Sequence, residues 1–219
     1  WDASAYSKNT LEFALDPAFP DGWPNPPWST LLFRRMMSNP DFRNDFVNQF
    51  ADRMNRNFSA ERVAHVFDSI KAIYLPEMAD HQKRWNQSYD KWLTNIAVVS
   101  DFGVNRPSYA RAHLKNMLGL GAQLQIKVDI NEPGLGKVKV NSIFPYKYPF
   151  TGIYFKDLPI RLTAVPEPGY RFVKWEMGSV QSQSVTLDYN MASAENFRAV
   201  FSLARATDIK IVINEISYK

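Results

Sequence analysis

Apolar residues recur at helical spacing through the first half of the chain. Between Asn39 and Phe58 four of them fall at every fourth position: Phe42, Phe46, Phe50 and Met54. This spacing places them on one face of an α-helix. Asn39 and Pro40 are typical of a helix start, because asparagine caps free amides and proline has no amide to satisfy. The pattern predicts a core helix whose opposite face carries polar side chains: Arg43, Asn44, Asn48, Asp52, Arg53 and Asn55.

Two more helices are predicted around this one. Residues 30–37 are nearly all apolar, which predicts a short helix buried on most of its circumference. Ser59 is a cap for a helix whose apolar stripe runs through residues 63–74. Pro76 is expected to kink or end that helix, because it removes a backbone hydrogen bond.

Small residues and a proline divide the last helical stretch. Ser88 predicts the start of a helix, and Gly103 is expected to end it. Pro107 then fits the first turn of a final helix. The stop is expected at Gly119 and Gly121, since glycine favours the left-handed backbone that closes a helix.

The hydrophobic period changes from 3.6 to 2 at Ala122. Apolar residues at 124, 126, 128 and 130 alternate with polar ones, which predicts a half-buried strand. A turn at 131–136 and a second alternating run at 137–143 predict a hairpin. Further strands are expected at 151–155, 160–165, 170–177, 184–189 and 197–203. The fold class is therefore α+β and multidomain, with an N-terminal α-helical subdomain followed by a small all-β module.

These patterns divide the 219 residues into four segments. Residues 1–27 are predicted to be an irregular lead-in, because 16–28 hold five prolines among aromatic residues. The helical subdomain covers 28–121 and the small β module 122–206. Residues 207–219 are expected to begin a further β domain.

Composition excludes several classes of function. The chain has no cysteine, so disulfide frameworks and thiolate chemistry are excluded. The formal charge of +4 is scattered, which predicts no nucleic acid partner. No apolar stretch approaches twenty residues, so no membrane span is expected. The first residues lack the basic and apolar regions of a signal peptide.

Short motifs in the chain do not predict a catalytic centre. Asp101-Phe102-Gly103 spells a kinase motif, but the upstream residues that such a kinase needs are not recognisable. The glycine pairs at 119–121 and 134–136 fit a helix cap and a turn better than a phosphate loop. The three histidines lack metal-ligand spacing. We therefore predict no catalytic, cofactor-binding or metal-binding residue.

Aromatic residues in proline-rich loops are the remaining candidates. Five rings stand outside the apolar stripes: Trp23, Trp28, Tyr146, Tyr148 and Phe150. If these rings are exposed, they would suit a glycan or protein ligand. If they are buried, they would seal a domain junction. Both interpretations stay open at this point.

Two resemblances place these segments among known families. Residues 9–15 (NTLEFAL), 24–70 and 76–85 (PEMADHQKRW) resemble the C-terminal portion of CotH-type kinases, a family that includes the spore-coat protein kinase; the likeness covers roughly residues 7 to 119. Residues 122–203, including LTAVPEPGYRFVKWE, resemble divergent bacterial surface repeats of the InlB B-repeat kind. The tail IVINEISY is similar to the opening strand of a lamin-tail-like domain.

The CotH resemblance implies a parent that transfers phosphate from ATP to protein Ser/Thr with Mg²⁺. The family's nucleotide and metal ligands are N-terminal to the block present here, so no catalytic residue is carried over. The resemblance implies that this fragment is inactive alone and that the remaining N-terminal kinase part is its partner. The repeat resemblance implies an extracellular or cell-surface location. The alternative is a surface adhesion or structural protein with a degenerate kinase-like part, which binds a surface glycan or protein.

Overall fold

A computed structural model describes residues 5–16, 26 and 28–205. The chain divides into two compact units. One unit comprises Trp1–Gln123 with Ile153–Leu158, and the other comprises Leu124–Gly152 with Pro159–Lys219. The helices lie in the first unit and most of the strands in the second, which confirms the α+β class. The tail predicted to begin a further domain lies outside the described residues.

The described part of the helical unit contains a 3₁₀ turn at Ala5–Ser7 and five α-helices. The helices are α1 (Thr10–Leu15), α2 (Leu31–Met37), α3 (Pro40–Arg56), α4 (Ala60–Arg84) and α5 (Tyr89–Leu118). The lead-in predicted to be irregular thus contains α1. The side chain of Asn9 accepts a hydrogen bond from the Glu12 amide and caps it. Residues 5–16 contain no proline, so nothing prevents a helix there.

Helix α3 matches its predicted start and supplies much of the core of this unit. The Asn39 side chain accepts hydrogen bonds from the amides of Asp41 and Phe42. Val47 and Ala51 are fully buried, and Phe46 and Phe50 are half-buried beside them. The predicted polar face is wrong at Asp52, which is fully buried. Its carboxylate has a partner inside the unit, described below.

Helix α2 is less buried than predicted. Met37 is buried, but Leu32 is 72% exposed and Leu31 and Met36 are also exposed. An apolar composition on every side of a helix does not by itself bring neighbours to every side.

Pro76 lies inside α4, where a kink or an end was predicted. Gly103 and Pro107 lie inside α5, so α5 is one helix where two were predicted. Gly103 allows close packing of two helices and does not terminate α5. A Cβ atom at this position would lie 2.5 Å from Cγ1 of Val63, so the absence of a side chain allows α4 and α5 to approach. Helix α5 ends as predicted at Gly119, whose φ is 58°.

The strands that the structure describes form two sheets, which lie mostly in the other unit. The strands are β1 (Gln123–Ile130), β2 (Gly136–Val140), β3 (Phe150–Phe155), β4 (Pro159–Pro166), β5 (Tyr170–Met177), β6 (Val180–Ser182), β7 (Thr186–Asn190) and β8 (Glu195–Leu203). One sheet has the order β3-β1-β8-β5-β6 and the other β2-β4-β7. The predicted hairpin of β1 and β2 is therefore wrong. Strand β1 pairs in parallel with β8, and β2 pairs antiparallel with β4.

The five-stranded sheet carries large buried rings, and one of them, Phe201, lies close to the backbone of the other sheet. Trp175 and Phe201 are buried, and Phe172 contacts both rings at 5.3 and 5.9 Å between centroids. At Gly136 in β2, a Cβ atom would lie 2.5 Å from the Phe201 ring of β8. Glycine is thus required where a backbone of one sheet meets an aromatic ring of the other.

Candidate functional site

The helical unit contains an apolar cavity of about 600 Å³. It is bounded by all five helices, and its walls include Leu11, Phe33, Phe50, Met54, Phe102 and Pro107. Small-molecule sites typically enclose about 300–1,000 Å³ with apolar walls and a few polar groups. The cavity has these properties and is the strongest candidate site in the described residues.

Three polar side chains give the cavity one polar corner: Thr10, Arg106 and His113. The Arg106 guanidinium donates hydrogen bonds to the carbonyl oxygens of Tyr6 and Lys8, at 2.8 and 2.5 Å, and to the Thr10 hydroxyl at 2.8 Å. These bonds attach the residues before α1 to helix α5. Among the described residues, no carboxylate forms an ion pair with Arg106.

The electrostatic state of this corner follows from burial and from Arg106. Burial lowers the pKa of the Arg106 guanidinium, because a charge is less favourable away from water. Burial also lowers the pKa of His113, and the charge of Arg106 lowers it further. Glu12 acts in the opposite direction but more weakly. The imidazole Nδ1 is buried and has no hydrogen-bond partner in the described part of the chain.

A second polar group in the helical unit is a buried network, which is a structural rather than a ligand-binding arrangement. The Tyr154 hydroxyl donates to Oδ1 of Asp52 at 2.8 Å, and both residues are fully buried. Burial raises the pKa of Tyr154, and the Asp52 carboxylate raises it further, so the phenol stays protonated and donates.

Asn55 extends this network to the backbone of strand β3. Its side-chain amide donates to the Ile153 carbonyl at 2.9 Å, and its oxygen accepts from the Ile153 amide at 3.0 Å. Arg111 donates to the same oxygen at 3.0 Å. The side chain thus pairs with Ile153 as a neighbouring strand would, which explains why Ile153–Leu158 belongs to the helical unit.

The structure separates the five aromatic candidates. Trp23 lies outside the described residues. Trp28 is 77% exposed and Tyr146 is 59% exposed, so both rings are available to solvent. Tyr148 is half-buried, and its hydroxyl is held by the amide and carbonyl of Val138.

Phe150 does not fit the exposed-ring interpretation, and a sealing role for it stays a prediction. It is buried, because it is the first residue of β3 and points to the buried side of the alternation in that strand. The described exposed candidates are thus Trp28 and Tyr146, and the structure does not bring these two into the cavity.

The short motifs have structural positions. Asp101-Phe102-Gly103 lies within α5, where Phe102 lines the cavity and Gly103 contacts α4. Among the described residues, no three His, Asp or Glu side chains lie together in a way that could hold a metal ion. The part of the chain that the structure describes therefore does not fit the Mg²⁺ site that the CotH resemblance implies for the parent.

Two family models match separate parts of the chain. Residues 3–110 match the family model described as CotH kinase protein. Residues 151–205 match the divergent InlB B-repeat domain. The chain joins a CotH-like segment to a B-repeat-like segment. No curated protein and no solved structure matches it significantly, and the lamin-tail likeness has no such match.

The cavity and the buried Tyr154 were not predicted from the sequence. The cavity lies largely within the CotH-like residues, and Tyr154 lies within the B-repeat match although it is buried among the helices of the first unit. In the sequence, Arg106 is part of a predicted helix start, and His113 is an isolated histidine. The two residues are seven positions apart, which places them two turns apart on one helix face. This spacing was the signal that could have indicated a shared site.

Proposed function

We propose that this chain is the helical C-terminal part of a CotH-like protein kinase carried by an exported bacterial protein, with the B-repeat-like module attached. The observation that supports it is the CotH match over residues 3–110 together with the B-repeat match over 151–205. Modules of the second kind suit a location outside the cell or at its surface. None of the described helices is long and apolar enough to span a membrane.

In this proposal the parent uses ATP and Mg²⁺ to phosphorylate Ser or Thr of proteins, and the residues that bind both belong to a preceding kinase part. The 219-residue chain is then inactive by itself. Helix α4 offers an apolar surface for that part, since Ile70, Ile73 and Tyr74 are exposed along it. Exposed apolar surface of this kind marks interaction sites.

The test compares this chain with the same chain preceded by its upstream kinase part. We expect phosphate transfer from labelled ATP to a Ser/Thr protein substrate only in the longer protein. Calorimetry of this chain with Mg·ATP is expected to show no saturable binding below about 1 mM, because no described strand leads into a helix that could form a phosphate cradle. Saturable binding to this chain, or an inactive longer protein, would contradict the proposal.

A second function, binding at the cell surface without catalysis, has the exposed rings of Trp28 and Tyr146 in its favour. Exposed aromatic rings provide large contact areas for glycans and proteins. Binding of the chain to a glycan array, lost in Trp28→Ala or Tyr146→Ala but retained in Tyr148→Phe, would favour this function over the kinase.

A further inference from the structure

The apolar cavity of the helical unit has walls that suit a hydrocarbon chain. Leu11, Phe33 and Met54 come from three different helices and all face it. Apolar surface in contact with water is unfavourable, and a ligand that covers such walls gains by removing them from water.

The polar corner of the cavity suits an anion. Arg106 is half-buried and carries a charge that no carboxylate of the described residues neutralises by an ion pair. Three hydrogen bonds to the segment before α1 and to Thr10 hold it in place. A guanidinium has five N–H donors, so donors remain for a carboxylate.

His113 adds a second feature that points to a ligand. It lines the same cavity, and its Nδ1 is buried without a partner among the described residues. Buried polar atoms are normally satisfied, so an unsatisfied one beside a cavity calls for a ligand group or a water.

We propose that the helical unit binds a single-chain amphiphile with a terminal carboxylate, its hydrocarbon chain between α3 and α5 and its carboxylate at Arg106 and His113. The polar corner fixes the head group, and the aromatic and aliphatic walls cover the chain. This site is separate from the proposed phosphate transfer, so either proposal can fail without the other.

The test measures binding of decanoate and of decan-1-ol to the whole chain by calorimetry. The two probes share the same chain length and differ in the charge of the head group. We expect one saturable site for decanoate, and affinity for decanol lower by at least about tenfold, because charge-assisted hydrogen bonds to Arg106 are lost. Acetate, which lacks the chain, should not bind measurably.

Two substitutions separate the chain from the head group. Ala110→Leu fills the cavity, because Ala110 lines it and is buried, and it should weaken both probes. Arg106→Gln should lower decanoate affinity by at least about tenfold and decanol affinity much less, because only decanoate uses the charge. Ala97→Leu is the matched control, since Ala97 is exposed on the same helix and outside the cavity.

Three results would overturn the proposal. The first is equal affinity of the wild-type chain for decanoate and decanol. The second is unchanged binding in a folded Ala110→Leu variant; if circular dichroism shows that variant to be unfolded, Ala14→Leu on α1 takes its place at the same cavity. The third is absence of saturable binding by either probe, which would mean that another protein segment covers these walls.

Discussion

At the scale of single residues, the most demanding interaction in the helical unit is the buried bond between Tyr154 and Asp52. A buried carboxylate is costly unless hydrogen-bond donors surround it. Tyr154 supplies one such donor, and its own burial keeps the phenol protonated. The helical pattern places Asp52 on the polar face. Its burial was not predicted, because its partner is 102 positions away. A periodic pattern in one helix contains no information about so distant a partner.

Tyr154→Phe tests this bond. The substitution removes the hydroxyl and keeps the ring, so Asp52 loses one donor in a place that water does not reach. We expect a loss of about 1.5–3 kcal/mol in the free energy of unfolding, the range for hydrogen bonds to charged groups. Urea denaturation is the measurement. Tyr146→Phe on the exposed ring is the control, with a change within about 0.5 kcal/mol; equal losses in the two variants would refute a role for the Asp52 bond.

At the scale of elements, glycine and proline explain where the sequence-based prediction succeeded and where it did not. Gly119 ends α5 as predicted, because its left-handed backbone closes the helix. Gly103 and Pro107 were expected to divide the same helix, yet it continues through both. At Gly103, packing against α4 outweighs the local preference of glycine, and a single sequence does not show that packing.

Strand pairing was limited in a similar way. The position of most strands followed from alternation, but the partner of β1 did not. Strand β1 pairs with β8, about seventy residues later, rather than with the adjacent β2. The cavity was also beyond prediction, because five helices form it and no motif marks it.

Gly103→Ala tests the contact between α4 and α5. Alanine is the better helix former by about 1 kcal/mol, so an isolated helix would gain. The new Cβ would lie 2.5 Å from Val63, however, and the helices would have to separate. We expect a net loss of about 1–3 kcal/mol, the usual range for overpacking.

The double variant Gly103→Ala with Val63→Ala provides the matched control. Removing the Val63 methyl groups makes room for the new Cβ, so part of the lost stability should return relative to the sum of the single changes. Denaturant melts of the four proteins measure the coupling. Strict additivity would show that the clash is absent and that Gly103 serves only the backbone.

At the scale of the whole molecule, strand β3 connects the two compact units within one element. Its first residues, Phe150–Gly152, belong to the β unit, and Ile153–Phe155 belong to the helical unit. The B-repeat match begins at residue 151, so a module defined by sequence includes residues that complete the helical core. Phe155 is buried there with Val47 and Leu114. Family boundaries and packing boundaries therefore differ in this chain.

The predicted module 122–206, expressed alone, tests how far the two units fold independently. The two sheets have their own core, so we propose that this segment gives dispersed β-sheet amide signals and a cooperative melt. Its midpoint should be lower than that of the β unit in the whole chain, because residues 153–155 lose the Asn55 and Asp52 bonds and Phe155 becomes exposed.

Phe155→Ser in the isolated segment separates these two effects. If Phe155 serves only the helical core, the substitution should improve solubility without lowering the melting midpoint, because an exposed apolar ring is removed. The same substitution in the whole chain should cost about 3–5 kcal/mol by analogy with large-to-small core changes. An unfolded isolated segment, or a segment destabilised by Phe155→Ser as strongly as the whole chain, would show that strand β3 is shared by one cooperative core and that 122–206 is not a domain.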